Sequence, residues 1–135
     1  MKTSVHLELA DQWQAALDKL DPQKDHIVLV EICMMMGTTL MNAIMHKRGI
    51  NEEVYDQNHT NRPEIESAMK AKITPDVRTM MDDLFYLEEM RKLHCRGVYP
   101  DKDERDLPTW DPAVSDKCLA KIKKIKAFQV EVFKE

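Results

Sequence analysis

Chemistry in this chain would have to come from a small set of side chains. Five histidines occur, His6, His26, His46, His59 and His94, and no two stand four residues apart. The H-x-x-x-H pairing that turns two imidazoles onto one helix face is therefore missing. No Glu has a His three positions on, which removes the Glu-x-x-His signature of bundles that hold two metal ions. Cys33-Met34-Met35-Met36 offers soft sulfur ligands. Consecutive helical residues point about 100° apart, however, so these sulfurs cannot all converge on one ion, and the run reads as adaptable core filling. No Gly-rich phosphate loop, G-x-S-x-G elbow or Cys/His nucleophile spacing is present. No metal ion and no cofactor is expected on these patterns. A metal site assembled from loops is the case that spacing does not show.

Two groups of residues remain as candidates. Glu31 interrupts a helix face that is otherwise apolar, and a buried unpaired charge costs on the order of several kcal/mol. It either reaches water or pairs with an arginine such as Arg78 or Arg91, or it forms the floor of a pocket. The second group spans Asp56 to Arg62 and Arg91 to Arg96, carrying Asn58, His59, Arg62, Arg91, His94 and Arg96. Brought together, these would make an anion-binding or acid/base cluster in which a histidine supplies the switchable proton. The plainer reading is that they are solvated helix ends and turns, where His, Arg and Asn are ordinary. The ligand-binding candidates are thus Glu31, His59, Arg62, Arg91, His94 and Arg96, with no catalytic residue assigned.

The elements that would position them are helices throughout. Glycine is scarce and Leu, Met, Ala, Lys and Glu are abundant. A first helix is expected from an N-cap near Ser4 to Asp21-Pro22, with Leu9, Trp13, Ala16, Leu17 and Leu20 on one face. A second runs from about Asp25 to Gly49, with Lys47 and Arg48 in its last turn. Between Ile27 and Met45 it is apolar in nearly every direction, so it is either central in its own fold or covered by a second subunit. A short helix starts at Pro63 and includes Ile65, Ala68 and Met69. Thr74-Pro75-Asp76 opens the next helix, which closes at Gly97 with the stripe Val77, Met80, Met81, Leu84 and Leu87 leading to Arg91 and His94. Tyr99 to Pro112 reads as a surface loop pinned by Trp110, and Asp111-Pro112 caps a last helix to Lys134. Its inward face is Val114, Cys118, Ile122, Ile125 and Val132. The expected fold is an all-α, antiparallel four- to five-helix bundle.

With 135 residues and no internal repeat or long linker, the chain reads as a single domain, 1–135. The formal charge of -4 gives no global attraction to nucleic acid or anionic membrane. Three widely spaced cysteines, Cys33, Cys95 and Cys118, argue against a disulfide framework or a zinc ribbon. The N-terminus lacks the apolar core of a secretory signal, and the apolar run Ile27 to Met36 is about half of what a bilayer requires. A cytoplasmic protein without a membrane span is expected.

Met45-His46-Lys47-Arg48-Gly49 at the end of the long apolar helix, and Leu87 to Tyr99 followed by one more helix, resemble the HEPN superfamily of small helical-bundle proteins. That resemblance implies a bundle, a dimer and, in active members, an RNase in which an Arg precedes the catalytic His by four to six residues. Here only two residues separate Arg91 from His94, so the resemblance implies the bundle and the dimer more than RNA cleavage. The first functional expectation is a non-enzymatic binding or interaction module, homodimeric, with a small-molecule or anionic ligand or a protein partner near Arg91, His94 and His59. The alternative is an enzyme, either a degenerate HEPN-type ribonuclease or a metal-dependent bundle.

Overall fold

The computed structural model describes residues 1–56, 67–97 and 109–135. Four long helices and one short turn of helix appear in the order α1 (Thr3–Leu17), α2 (His26–Lys47), α3 (Ser67–Lys70), α4 (Pro75–Arg96) and α5 (Pro112–Phe133). Among the described residues there are no strands, and the fold is an all-α helical bundle. The expected Pro63 start and the loop from Tyr99 lie largely outside the described residues.

Helix α2 is the hub. Among the described residues it packs against α1, α4 and α5, and α4 also packs on α5; α1 reaches α5 through Asp11 and Lys126, 3.5 Å apart. Its circumference is buried by its own chain from Leu29 to Met45, with only Glu31, Met35 and Thr38 partly exposed. The uncovered α2 face that suggested a second subunit is thus largely accounted for within one chain. The helix is longer than the run Ile27 to Met36, and by length and composition α2 could cross a bilayer. Its most apolar stretch is, however, mostly buried inside the fold. At Gly37 the absent side chain admits close packing, since a Cβ there would lie 2.8 Å from Leu84 Cδ1 and 3.3 Å from Leu87 Cδ1.

The helix ends follow the expected punctuation with three exceptions, the first being that α1 ends at Leu17 rather than at Asp21-Pro22. Pro75 occupies the first turn of α4, Gly97 ends it at φ 60°, and Asp111 caps α5 by accepting from the Ala113 amide at 2.9 Å. Thr74, though N-cap of α4, makes no side-chain cap bond; its hydroxyl bonds to Asp76 instead. The expected Ser4 cap is also not used, because the helix starts one residue earlier and Lys2 is the N-cap. The Thr3 amide and hydroxyl donate to the Glu53 carboxylate at 2.5 and 2.6 Å. A carboxylate from the segment after α2 thus satisfies a free N–H of α1.

That segment is aimed by the end of α2. The Ile50 amide bonds to the Met45 carbonyl and the Gly49 amide to the His46 carbonyl, with Gly49 at φ 66°. This pair of bonds is a Schellman turn. It folds the chain back so that residues 51–56 lie against the start of α1.

Candidate metal centre

His6 lies one turn before Ala10 on the face of α1 that continues to Leu17, so it is carried into the interface with α2 and is 4% exposed. His46 occupies the last turn of α2, where its side chain is 1% exposed. Asp56 ends the six-residue return that follows the Schellman turn. The return is braced by Asn51, which is buried and donates from Nδ2 to the Tyr55 carbonyl at 2.7 Å. Three separate parts of the chain therefore converge on one point.

At that point Asp56 Oδ1 lies 3.0 Å from His6 Nε2 and 2.7 Å from His46 Nε2. The two imidazole rings are 5.4 Å apart, centroid to centroid. The other carboxylate oxygen accepts from the Met1 amino group at 2.8 Å. Burial pushes the Asp56 carboxyl up, but hydrogen bonds from the Met1 amine, His6 and His46 outweigh it and hold the group below its ordinary value. A carboxylate, not a carboxylic acid, faces the two rings at neutral pH.

The site suits a metal ion in donor type and in the convergence of its donors. One donor atom from each of His6, His46 and Asp56 can be chosen so that all lie within 4.8 Å of one another. Donors on a tetrahedral zinc are separated by about 3.3 Å, given metal–ligand distances of about 2.0–2.1 Å. The 3.0 and 2.7 Å contacts from Asp56 Oδ1 to the two rings are hydrogen-bond distances, shorter than that spacing, so an ion would have to replace both bonds. His46 also has the outer partner that ligating histidines normally possess, because its Nδ1 faces the Asn51 carbonyl at 3.4 Å. In this structure the 2.7 Å contact with the Asp56 carboxylate needs a proton on Nε2; an ion would have to displace that proton, and the Asn51 carbonyl, which only accepts, would then hold the remaining one on Nδ1. His6 Nδ1 is buried without a hydrogen-bond partner. His46 is therefore the better-oriented ligand of the two.

The candidates read from the sequence lie elsewhere. Glu31 pairs with Arg91 through Nε at 2.7 Å, and Arg91 is also 3.7 Å from the buried Glu88 carboxylate. The arginine is 4% exposed, so of the two readings of Glu31 the structure shows the ion pair between helices. Arg96 is exposed at the end of α4. His94 is buried, with its ring edge-on to Trp110 at 5.1 Å, while Trp110 stacks on His26 at 4.0 Å. Trp110 thus packs just before the start of α5 against both rings, and burial lowers the His94 imidazole below its ordinary value, helped by His26. His59 and Arg62 lie outside the described residues. Arg91 and Glu31 are brought together, and His94 is one turn further along α4. Glu31, Arg91 and His94 sit toward the opposite end of α2 from His46, since 15 residues of helix separate Glu31 from His46, or about 22 Å.

The convergence of His6, His46 and Asp56, whose donor types could hold a metal ion, is not among the candidates read from the sequence. The H-x-x-x-H test missed it because the ligands come from two helices and a turn. One signal was available: His6 stands on the inward face of α1, three before Leu9 and seven before Trp13. Burial and the Glu31 carboxylate push the Cys95 thiol up to about 12, and burial pushes Cys118 up to about 12, so both are held as thiols at neutral pH. No family model, curated protein or solved structure matches this chain.

Proposed function

We propose that this chain is a helical-bundle binding module whose ligand is a divalent first-row transition-metal ion, held by His6, His46 and Asp56. The observation that carries the reading is the placement of two nearly fully buried imidazoles on a single carboxylate oxygen. Two nitrogen donors and one oxygen donor suit zinc and its neighbours, whereas calcium and magnesium prefer all-oxygen sites. The reading keeps the binding module expected from the sequence but takes its ligand residues from the C-terminal end of α2 and its surroundings rather than from Glu31, Arg91 and His94. It also overlaps the metal-dependent alternative, without assigning a reaction. A ribonuclease of HEPN type gains less support, because it would need Arg91 available to RNA, and Arg91 is buried against Glu31 and Glu88.

The competing reading is a hydrogen-bonded clamp, in which Asp56 Oδ1 joins the two rings only to hold α1 against the end of α2. The two are separated by stripping the protein of metal, dialysing it against Zn2+, Co2+ or Mn2+, and measuring retained metal by plasma mass spectrometry. The metal reading expects one ion per chain, lost in His46→Ala and in His6→Ala while helical circular dichroism is kept. A chain that retains no ion, or whose retention is unchanged in His46→Ala, overturns it.

A further inference from the structure

We infer that the ion at His6, His46 and Asp56 keeps a coordination position open to solvent and takes up a small anionic oxygen ligand there, of the carboxylate or hydroxamate class. The inference rests on the metal reading above and extends it from what holds the ion to what the ion can hold.

Donor count is the first argument. Zinc in a closed structural site has four protein ligands, whereas a site with three keeps the fourth position for water or substrate. Among the described residues the group that could hold a metal contains His6, His46 and Asp56 and no fourth His, Cys, Asp or Glu. The nearby Glu53 carboxylate is already engaged, since its Oε1 accepts from both the amide and the hydroxyl of Thr3.

The second argument is direction. The His6 and His46 side chains are 5% and 1% exposed, while that of Asp56 is 29% exposed. The imidazoles form the back of the site and the carboxylate its mouth. A free position on an ion seated against the rings therefore opens on the Asp56 side.

Charge is the third. A divalent ion bound by two neutral imidazoles and one carboxylate keeps a net positive charge, and in a partly buried site such an ion is the largest local charge. An anion with an oxygen donor neutralises it, and the same position occupied by water would acidify that water.

Cobalt is the probe, because its visible spectrum reports coordination directly. The full chain is loaded with Co2+, and acetohydroxamate is titrated in while the visible bands are followed, with protein-bound cobalt measured after gel filtration. A saturable change in the bands with cobalt retained is the expected result. A one-to-one cobalt complex, sensitive to His46→Ala, whose spectrum does not respond to acetohydroxamate would leave the metal reading standing and overturn the open position. Spectral change accompanied by loss of cobalt means extraction by the hydroxamate and also overturns it. Failure to bind cobalt at all would remove the metal reading itself.

Discussion

Replacement of Arg91 by alanine should cost the protein far more than neutralising its most exposed partner, and the structure says why. The guanidinium is 4% exposed and lies between two carboxylates of different burial. Glu31, at 2.7 Å, has a side chain 38% exposed and can be rehydrated when the arginine is gone. Glu88, at 3.7 Å, has a side chain only 4% exposed and cannot. Removing one partner of a buried ion pair costs about 3–5 kcal/mol. Because Glu88 keeps its other contacts, Arg91→Ala belongs near the low end, at about 3 kcal/mol. Glu31→Gln removes a half-exposed charge and belongs within about 1 kcal/mol of wild type. For a chain of this length about 3 kcal/mol corresponds to a Tm lower by roughly 12 °C. Urea unfolding followed at 222 nm reads both variants, and the double variant Glu88→Gln/Arg91→Ala should regain part of the loss because the stranded charge is gone. Equal effects of Arg91→Ala and Glu31→Gln, or no recovery in the double variant, would refute the argument that burial of Glu88 sets the cost.

Other perturbations test separate parts of the account. Leu29→Asp or Ile44→Asp should unfold the chain, since both residues are almost fully buried and an unpaired charge there costs several kcal/mol of a total of about 5–15; an unchanged Tm would show α2 to be misplaced. Gly37→Leu should destabilise by about 1–3 kcal/mol or more, because even a Cβ meets Leu84 Cδ1 at 2.8 Å; thermal melting checks it, and a neutral result would mean that α2 and α4 are further apart. Burial lowers the folded-state value of His94 below 6.5, so the unfolded chain takes up the proton first and stability falls as the pH drops through about 6.5. Urea midpoints at pH 8 and pH 5.5 should therefore differ less in His94→Gln than in wild type, and an undiminished difference would assign the acid sensitivity elsewhere. Asp111→Ala should cost about 1 kcal/mol through the lost bond to the Ala113 amide; an unchanged urea midpoint would show that Pro112 alone starts α5.

Much of the fold was legible because it is written in local signals. Thr74-Pro75, Gly97, Asp111-Pro112 and Gly49 mark helix ends through backbone chemistry that operates within a few residues. The start of α1 was misread because its amide is satisfied by Glu53, which is fifty residues away and carries no local signature. α1 ends at Leu17, four residues before the Asp-Pro pair, where the chain tightens into i→i+3 bonds from the Lys19 amide to the Ala16 carbonyl and from the Leu20 amide to the Leu17 carbonyl; Asp21 then takes the turn before α2 by accepting from the Gln23 and Lys24 amides. The pairing of Glu31 with an arginine followed from the cost of a charge on an apolar face, and Arg91 was one of two arginines named for it. The cluster of His6, His46 and Asp56 was not legible. His6 and His46 meet because α1 packs on α2, and Asp56 joins them because Gly49 and Ile50 reverse the chain. The first step is tertiary and the second is a local turn followed by a return of no regular period, so neither leaves a fixed spacing between the three residues.

The central claim is that one divalent ion binds between α1, the end of α2 and the return that follows it. The most direct test is anomalous diffraction from crystals of the full chain grown with Zn2+, recorded on both sides of the zinc absorption edge. A single anomalous peak bonded to His6 Nε2, His46 Nε2 and Asp56 Oδ1 is the predicted result. No peak there, with the Asp56 carboxylate still hydrogen-bonded to both rings in the presence of zinc, would contradict the account and leave the three residues as a structural clamp.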